Sequence, residues 1–524
     1  MNFPKLEEYK TKYSKLLDVR SSERTFDTFY DVDAPKDLEL HPNPIPLSGG
    51  CPDEGFFPIE SIHLNVVDEP FQHLDYKERG PGTNNFDLTT EKQSFDLFDE
   101  KHVVHSYRYP IEEGQLSIHQ GFQYGPTDGF PALKDFSKKL VSTLHKPAYD
   151  DYMVTLTNGS GDSLFKVCDL FCKAGGTILV EEFTFTPFNS SAAAYGCKAI
   201  PVKLNIREGS EPGIDTDYLD DLLTNWSTGP YKDLTPPTAL YTIPTGQNPT
   251  GLTQSIEVRK KVYALAEKHD FVIIEDDPYG YLVLPKYGTP NIYDSESFEV
   301  EQYAKSLTPS YLTIDTSGRV LRMDTYSKLF APGLRLGFIT GNPYLINRIL
   351  FHTAVSTRSP SGISQVILNN TIQHWGGVNG WLKWSAKVAK HYTIRRDIFL
   401  DEIYSSESGK KGHFSVVEPD AGMFIIIYLN FEKIVKNPSD YEAVLKQAKY
   451  KYLEHGSDVI FGNRMVCDLN FEGTAAKSHF IRLTIAAAHT NDILREGVKR
   501  FCAATNEFFE ELEAGKYNHL LTSA

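Results

Sequence analysis

Seven short runs of mostly apolar residues recur between residues 152 and 339, and helix-length segments separate most of them. Strands that are apolar on both faces have to be buried on both faces, as they are in parallel sheets covered by helices. The pattern therefore predicts an α/β fold built on a mostly parallel, seven-stranded sheet. The runs are residues 152–157, 177–181, 198–202, 239–243, 271–275, 320–323 and 334–339.

The sequence after residue 341 has a different pattern. Two helical patterns, at 343–357 and 361–375, precede two separate strand patterns, at 423–429 and 480–486. A mixture of this kind predicts a second, smaller α+β domain. The length of 524 residues also favours more than one domain.

The polar and acidic segment 286–310 interrupts the strand pattern, so we interpret it as an inserted loop outside the core. A charged, irregular segment at 71–113 predicts a surface insertion. We expect residues 1–115 to form an N-terminal arm, part of the small domain and this insertion, residues 116–365 the large domain, and residues 366–524 the small domain.

The formal net charge is −16 and the isoelectric point is near 5.5, which argues against a nucleic-acid or anionic-membrane partner. The six cysteines form no C-x-x-C pair and lie too far apart for a disulfide framework, which favours a reducing compartment. The N-terminal residues lack the apolar core of a signal peptide, and the longest strongly apolar run, 423–429, is too short to span a bilayer. We expect a cytoplasmic protein.

Lys328 lies between two apolar runs, in the segment GRVLRMDTYSKLFAPGLRLGFITG. Burial disfavours an ammonium ion, so it would lower the pKa of Lys328 and favour the free amine that attacks a carbonyl carbon. Thr325 and Ser327 place hydroxyl groups beside the lysine, and Arg335 carries a planar fork suited to a phosphate. A ligand with both a carbonyl and a phosphate suggests pyridoxal phosphate. The alternative is a lysine in a surface turn.

The run at 152–157 leads into a Gly- and Ser-containing turn and then a helical pattern, which would place Ser160 at a helix N-terminus suited to phosphate. An ordinary strand-to-helix turn is one alternative. A dinucleotide fingerprint is another, because Gly159-Ser160-Gly161 follows a strand and the next strand ends in two glutamates. Leu164 occupies the position of the third glycine, which argues against the fingerprint.

Two further strand ends carry polar groups, at the edge where open α/β sheets bind ligands. Asn248 precedes a proline that restricts its backbone, and its side chain could bond a phenolic oxygen. Asp276 follows the run at 271–275, where a carboxylate could keep a ring nitrogen protonated. Asp276 and Asp277 could instead bind a metal, but no histidine or further carboxylate is spaced to complete the ligand set. We therefore expect no metal.

Several motifs together carry a family resemblance. The pattern S-K-x-x-x-P-G-x-R-x-G around Lys328, with N-P-T-G from Asn248 and E-D-D-P-Y ending at Tyr279, resembles the fold-type-I pyridoxal-phosphate aminotransferases of class I/II. The resemblance covers nearly the whole chain after about residue 40. Four segments are similar to the fungal aromatic amino-acid aminotransferases, which are related to kynurenine and 2-aminoadipate aminotransferases: residues 159–166, 181–187, 421–427 and 480–487.

The resemblance implies a catalytic or cofactor-binding role for each matching residue. Lys328 would form the Schiff base with pyridoxal phosphate and then move a proton between the substrate and the cofactor. Asp276 would pair with the pyridine nitrogen, while Tyr279 and Asn248 would bond the ring oxygen. Phe185 would stack on the ring, where many relatives have tyrosine.

The implied phosphate and substrate contacts come from several segments. Gly161 stands where related kynurenine aminotransferases carry glutamine, so its contact could come only from the backbone. Arg482, in F-I-R-L-T, would bind the substrate α-carboxylate with help from Asn248 and the backbone at Gly50. The implied phosphate-binding residues are Ser160, Gly161, Thr325, Ser327 and Arg335, with Tyr124 contributed by the other subunit of a homodimer.

The resemblance further implies transamination of phenylalanine, tyrosine and tryptophan with a 2-oxo acid such as 2-oxoglutarate, at sites shared across a homodimer. Phe57, near Gly50, is a candidate aromatic wall, and a contact between Arg358 and an acidic substrate is left open. The alternatives are 2-aminoadipate or kynurenine transamination, and a non-enzymatic regulator that uses this fold as a sensor. The regulator would need a basic DNA-binding module, and none precedes residue 115.

Overall fold

The computed structural model describes residues 5–26, 35, 37–39, 41–43, 45, 50–70, 100–110, 112–206, 211–294 and 299–522. Most of the surface insertion that the sequence predicts at 71–113 lies outside these residues. Within the described ranges, no helix has both the length and the apolar character needed to cross a membrane.

The strands of the described residues form two small antiparallel sheets of two strands each and two larger sheets. In chain order they are β1 Ser61–Asn65, β2 Val103–Tyr107, β3 Met153–Thr157, β4 Thr177–Glu181, β5 Lys198–Val202, β6 Leu204–Asn205, β7 Gly213–Ile214, β8 Ala239–Thr242, β9 Val272–Asp276, β10 Val320–Thr325, β11 Gly337–Gly341, β12 Phe414–Val417, β13 Phe424–Leu429, β14 Ile460–Phe461 and β15 Phe480–Thr484.

The α-helices cover the sheets and connect them. In chain order they are α1 Leu6–Tyr13, α2 Val19–Ser22, α3 Ile118–Phe122, α4 Pro131–Leu144, α5 Ser160–Phe171, α6 Pro187–Ala194, α7 Thr216–Thr224, α8 Ile256–His269, α9 Val300–Ser306, α10 Pro343–Val355, α11 Gly362–Trp375, α12 Gly377–Ser405, α13 Glu407–Lys410, α14 Tyr441–Glu454, α15 Thr474–Lys477 and α16 Asn491–Glu513.

The central sheet has seven strands in the order β3-β11-β10-β9-β8-β4-β5, which confirms the predicted α/β fold. β9 is parallel to β8 and β10, and β4 is parallel to β5 and β8. β11 is antiparallel to both of its neighbours, β3 and β10. Strands β4, β8, β9, β10 and β11 are buried at every position, as their largely apolar sequences predict.

The last of the seven runs forms a shorter and later strand than the run 334–339. Residues Pro332–Leu334 form a 3₁₀ turn, and Arg335 has a left-handed backbone with φ of 52°. Proline fixes its own φ and lacks an N–H group, so this part of the run does not join the hydrogen-bonded ladder. The strand begins at Gly337, and Arg335 belongs to the turn that precedes it.

The second sheet has the order β12-β13-β15-β14 and is antiparallel throughout. Its strand β13 is buried at every position, and α16 packs against both α12 and α14. This is the α+β pattern that the sequence predicts after residue 341. The domain boundaries after residues 115 and 365 stay predictions.

The expectation that segment 286–310 lies outside the core is wrong. Within this segment, α9 packs on α12, and Tyr303 is fully buried and donates a hydrogen bond to the carbonyl of Tyr281 at 2.7 Å. The polar residues that suggested a loop, such as Gln302 and Lys305, are exposed on the other face of the short helix. The seven residues of α9 make only about two turns, which is too short to show a clear helical period in the sequence.

The N-terminal arm docks on the large sheet's helical layer, as expected for a segment that does not fold alone. Tyr13 of α1 is fully buried and donates to the carbonyl of Ser317 at 2.6 Å. Tyr9, one turn earlier, donates to Asp151 at 2.9 Å. Both contacts cross more than a hundred residues of chain, so the arm is fixed by tertiary contacts.

Candidate active site

Lys328 lies in the turn that follows β10, and its side chain is half-buried. Burial lowers the pKa of the Lys328 amine, and the nearby Arg335 lowers it further, while Asp276 acts in the opposite direction. The turn is held from outside by Trp384, whose indole N–H donates to the carbonyl of Leu329 at 2.7 Å. The structure therefore supports the desolvated amine over the surface turn lysine.

Asp276 ends β9 and is buried beside this amine. Its Oδ2 accepts a hydrogen bond from the Tyr241 hydroxyl at 2.7 Å, and its buried Oδ1 accepts none from any described residue. Burial raises the pKa of Asp276 to about 7, and the neighbouring Asp277 and Asp324 act in the same direction. One oxygen is thus fixed by the protein, and the other can accept a proton donor from a ligand.

Tyr241 is a residue that the sequence analysis did not single out. It lies on β8, opposite Ile274 of β9, and its ring stacks on Phe188 with centroids 3.8 Å apart. The stacking and the strand pairing fix the hydroxyl on Asp276. The hydroxyl group of a tyrosine in a mostly apolar strand could have marked this residue in the sequence. Only the order of the strands identifies Asp276 as its partner.

Arg322 is ion-paired to the acidic residues around Asp276. The arginine is fully buried and lies 3.1 Å from Glu275, 2.9 Å from Asp277 and 2.9 Å from Asp324. Because Asp277 is ion-paired to Arg322, it is part of this buried network. Asp276 is therefore the carboxylate of the pair that can serve a ligand.

Gly159, Arg335 and the start of α5 form a cradle for an anion. Gly159 has φ of 82°, and a Cβ built on it would lie 2.6 Å from a terminal nitrogen of Arg335. The N–H groups of Ser160 and Gly161 begin α5, before the first helical hydrogen bonds of Asp162 and Ser163 to the Gly159 carbonyl, and lie at the positive end of the helix dipole. Around Gly161 no atom lies within 4 Å of a built Cβ, so its backbone is open to a ligand.

Thr325 and Ser327 extend the hydroxyl wall of this cradle. The Thr325 hydroxyl donates to the Ser327 hydroxyl at 3.0 Å and accepts the Ser327 N–H at 3.2 Å. Their hydroxyl groups therefore lie together in the turn that also carries Lys328. This arrangement agrees with the phosphate site that the sequence predicts.

Arg482 connects the small sheet to the end of the large one. Its guanidinium donates to the Asn248 side-chain carbonyl at 2.7 Å and lies 4.4 Å from the centre of the Phe424 ring. Burial lowers the pKa of Arg482, although a guanidinium stays charged. Tyr279 packs edge-on against the same Phe424 at 5.8 Å, so Arg482, Asn248 and Tyr279 meet at one place.

Other predicted residues are not gathered here in the single chain. Tyr124 is 73% exposed, and Gly50 is exposed with no atom near a built Cβ. Phe57 packs against Phe122 at 6.3 Å, and Phe185 is partly buried against the core. Their roles in a site stay predictions.

A cavity of about 280 Å³ opens beside Lys328. One wall is a face of α12 that carries Val388, His391, Tyr392 and Arg395, and the opposite wall is the segment 486–489 that follows β15. The sequence analysis missed this wall, although spacings of three, four and seven residues place these side chains on one helical face. A long helix offers several such faces, and only packing selects the one that borders a site.

The profile of the family "Aminotransferase class I and II" matches residues 94–501, which is well over half of the chain. The chain therefore belongs to the class I and II aminotransferases. This membership agrees with the α/β fold, the lysine turn and the carboxylate at the end of β9.

More specific likenesses point to one branch of that family. The chain is 38% identical to aromatic amino acid aminotransferase 2 of Saccharomyces cerevisiae, over 96% of this chain and 97% of that protein. It is 32% identical to an L-tyrosine:2-oxoglutarate aminotransferase of Serpula lacrymans, over 74% of this chain and 69% of that protein. A crystal structure of an aromatic aminotransferase from C. albicans matches with a TM-score of 0.84 and 41% identity, covering 97% of this chain and 99% of that chain.

The family implies pyridoxal phosphate, and the site fits that group. The buried Oδ1 of Asp276 can accept a protonated ring nitrogen, and the Lys328 amine has the lowered pKa that attack on a carbonyl needs. The cradle of Gly159, Arg335 and the α5 N-terminus suits a phosphate.

Proposed function

We propose that this aminotransferase transfers the amino group of phenylalanine, tyrosine or tryptophan to a 2-oxo acid such as 2-oxoglutarate, with pyridoxal phosphate as cofactor. The observation that carries the proposal is that Lys328 lies beside Asp276, while Arg482 of the small sheet meets Tyr279, three residues after Asp276, at the ring of Phe424. The names of the relatives support the aromatic donors and the acceptor.

Pyridoxal phosphate, when bound, supplies an electron sink for the α-carbon of an amino acid. Asp276 would hold the proton on the ring nitrogen through Oδ1, while Tyr241 keeps the carboxylate oriented through Oδ2. Tyr279 and Asn248 would bond the ring oxygen, and Phe185 would lie against the ring.

Lys328 would anchor the cofactor and then carry a proton at its Nζ between the substrate α-carbon and the cofactor. The lowered pKa of its amine serves both tasks, because a neutral amine can attack a carbonyl and accept a proton. Ser160, Gly161, Thr325, Ser327 and Arg335 would hold the phosphate.

Arg482 would bind the α-carboxylate common to every amino-acid donor and 2-oxo acid acceptor. Asn248 already accepts a hydrogen bond from this guanidinium, so the charged group is oriented before a substrate arrives. A bidentate Arg–carboxylate pair in a desolvated site fixes orientation as well as binding. Gly50 would add a backbone contact, and this clamp would not discriminate among side chains.

Tyr124 would contribute to the phosphate site of a partner subunit. A tyrosine that is 73% exposed on one chain has room to be covered by a second copy. We therefore propose a homodimer whose two sites are shared between subunits.

A panel of amino donors assayed with 2-oxoglutarate tests the proposed function. We expect phenylalanine, tyrosine and tryptophan to exceed aspartate and alanine by roughly tenfold or more in kcat/KM, because burying an aromatic side chain is worth about 1.5–3 kcal/mol and 1.4 kcal/mol is about one factor of ten. Lys328→Ala is the inactive control, and Lys383→Ala, at an exposed position of α12, is the matched lysine control with full activity.

Two outcomes would count against this proposal. If 2-aminoadipate, kynurenine or aspartate exceeded all three aromatic donors, the aromatic assignment would fail and the aminotransferase class would stand. If Lys328→Ala retained a borohydride-reducible link to pyridoxal phosphate, Lys328 would not be the anchor.

A further inference from the structure

We propose that Arg395, which lines the cavity beside Lys328 together with His391 and His489, binds the second carboxylate of a dicarboxylic 2-oxo acid. Aromatic side chains would contact Val388 and Tyr392 on the same wall. The inference rests on the proposed function, because it explains how one cavity accepts an aromatic donor and an acidic acceptor in alternate half-reactions.

The wall faces the reacting groups. Val388, His391, Tyr392 and Arg395 border the same cavity as Lys328. Tyr392 also lies close enough to Tyr279 for its phenol to act on the pKa of that residue. The α12 face therefore borders the space next to Lys328 and Tyr279.

The cavity has the opposite charge sign to the rest of the chain. Of the described residues that line it, none is acidic, and the guanidinium of Arg395 is its fixed positive charge. Burial lowers the pKa of His391, so this histidine stands beside Arg395 as a hydrogen-bonding group, and Glu69, which acts on His391 in the opposite direction, is ion-paired to Lys387 at 2.9 Å. In a chain with a net charge of −16, this local excess of positive charge favours a dianionic substrate.

Arg395 is also tied to the strand that carries the α-carboxylate clamp. Its guanidinium donates to the carbonyl of Ala486 at 3.3 Å and to the carbonyl of Ala488. Ala486 follows Arg482 by only four residues, so one short segment positions both arginines. A guanidinium has five N–H groups, so contacts to these carbonyls and to a carboxylate are compatible on one side chain.

Arg358, the arginine left open by the sequence analysis, does not fit this task. It is exposed, does not border the cavity, and has its guanidinium 5.3 Å from the centre of the Phe26 ring. It is therefore a suitable matched control for the substitution of Arg395.

The test compares two acceptors in the pyridoxal-phosphate-loaded enzyme: 2-oxoglutarate, with two carboxylates, and phenylpyruvate, with one carboxylate and an aromatic ring. In Arg395→Gln we expect the ratio of kcat/KM for 2-oxoglutarate to that for phenylpyruvate to fall tenfold or more, mainly through KM. In His391→Gln we expect a smaller fall in the same direction. In Arg358→Gln the ratio should stay within twofold of the native value.

A structural role for Arg395 predicts something different. If Arg395 only holds segment 486–488, Arg395→Gln lowers both acceptors alike and the ratio does not move, which would overturn the inference. Arg395→Lys keeps the charge and changes the carbonyl contacts. We therefore expect its ratio of the two kcat/KM values to stay closer to the native ratio than that of Arg395→Gln. Should Arg395→Gln fail to fold, the ratios measured in Arg395→Lys and His391→Gln test the inference, and native ratios in both variants would overturn it.

Binding of non-reacting acids separates this inference from the proposed function. We expect the native enzyme to bind glutarate, and Arg395→Gln to bind it at least tenfold more weakly relative to 3-phenylpropionate, as measured by calorimetry. This result would support the carboxylate site even if the donor panel excluded aromatic amino acids. An unchanged glutarate affinity in Arg395→Gln would overturn the inference even if the donor panel succeeded.

Discussion

Asp276 shows at the scale of one residue how position determines chemistry. A carboxylate this deeply buried is costly to ionise, and its pKa is raised to about 7, chiefly by burial. The Tyr241 hydroxyl compensates part of that cost at one oxygen, and the adjacent Asp277 is ion-paired to Arg322. A protonated ring nitrogen at Oδ1 would remove the remaining cost of ionising Asp276. Cofactor binding and the charge of Asp276 are therefore linked.

This linkage gives a prediction for the cofactor-free protein. An unfolded aspartate titrates near pH 4, so between about pH 4 and 7 the folded chain holds a proton on Asp276 that the unfolded chain has released. The contribution of Asp276 to stability therefore falls as the pH rises through this window. The asparagine in Asp276→Asn does not titrate. The free energy of unfolding of this variant, relative to that of the native chain, should therefore increase by about 1–3 kcal/mol between pH 5 and pH 7.5.

Urea unfolding of the two cofactor-free proteins at both pH values measures this difference. With saturating pyridoxal phosphate the native protein should become more stable than Asp276→Asn, because the native carboxylate gains a charged partner that asparagine cannot match. A stability difference independent of pH would show that Asp276 does not carry the raised pKa.

At the scale of elements, the turn between β3 and α5 combines a conformational and a steric requirement for glycine. Gly159 has a positive φ, and Arg335 lies where a side chain would start. Gly175, beyond the other end of α5, has a similar φ of 72° but no atom within 4 Å of a built Cβ. The two glycines therefore separate backbone strain from contact with the arginine.

We expect Gly175→Ala to lose about 1–2 kcal/mol of stability from its positive φ, and Gly159→Ala to lose more, because Gly159 combines φ of 82° with ψ of 173°, a backbone region essentially restricted to glycine. Gly159→Ala should in addition displace the Arg335 guanidinium and weaken pyridoxal-phosphate binding about tenfold or more, since a charged hydrogen bond is worth about 1.5–3 kcal/mol. Gly175→Ala should bind the cofactor normally. Thermal unfolding and cofactor titration give the two readouts, and equal cofactor affinities would remove Arg335 from the phosphate site.

At the scale of the whole molecule, the site forms where two sheets meet. Asn248 follows the large sheet's strand β8, Arg482 belongs to β15 of the small sheet, and 234 residues separate them in sequence. Movement of one sheet relative to the other would change the clamp directly. The exposed Tyr124 suggests that a second chain completes the arrangement.

Mixing two variants of low activity, Tyr124→Ala and Lys328→Ala, tests the shared site. In a hybrid dimer one of the two sites has both Tyr124 and Lys328, so random mixing should restore roughly a quarter of native activity if the dimer is shared as proposed. Each variant alone, carried through the same mixing procedure, is the control. Hybrid dimers that form without any recovery would place Tyr124 outside the partner's site.

The sequence by itself determined the large sheet and most of the site. The seven apolar runs all contribute strands to one sheet, because runs that are largely apolar on both faces favour burial on both faces. Lys328, Asp276 and the turn at Gly159 were identifiable because turn chemistry and strand ends are properties of a few consecutive residues. Segment 286–310 was misinterpreted for the same reason, since its local composition is polar while Tyr303 is buried by distant partners.

Only the tertiary structure decided which side chains meet. Strand order placed Tyr241 on Asp276, and the meeting of two sheets placed Arg482 on Asn248. The packing of α12 selected the face that carries Arg395 as a wall of the cavity. Such contacts depend on how whole elements pack, and the hydrophobic periodicity of one element is the same whichever neighbour covers it.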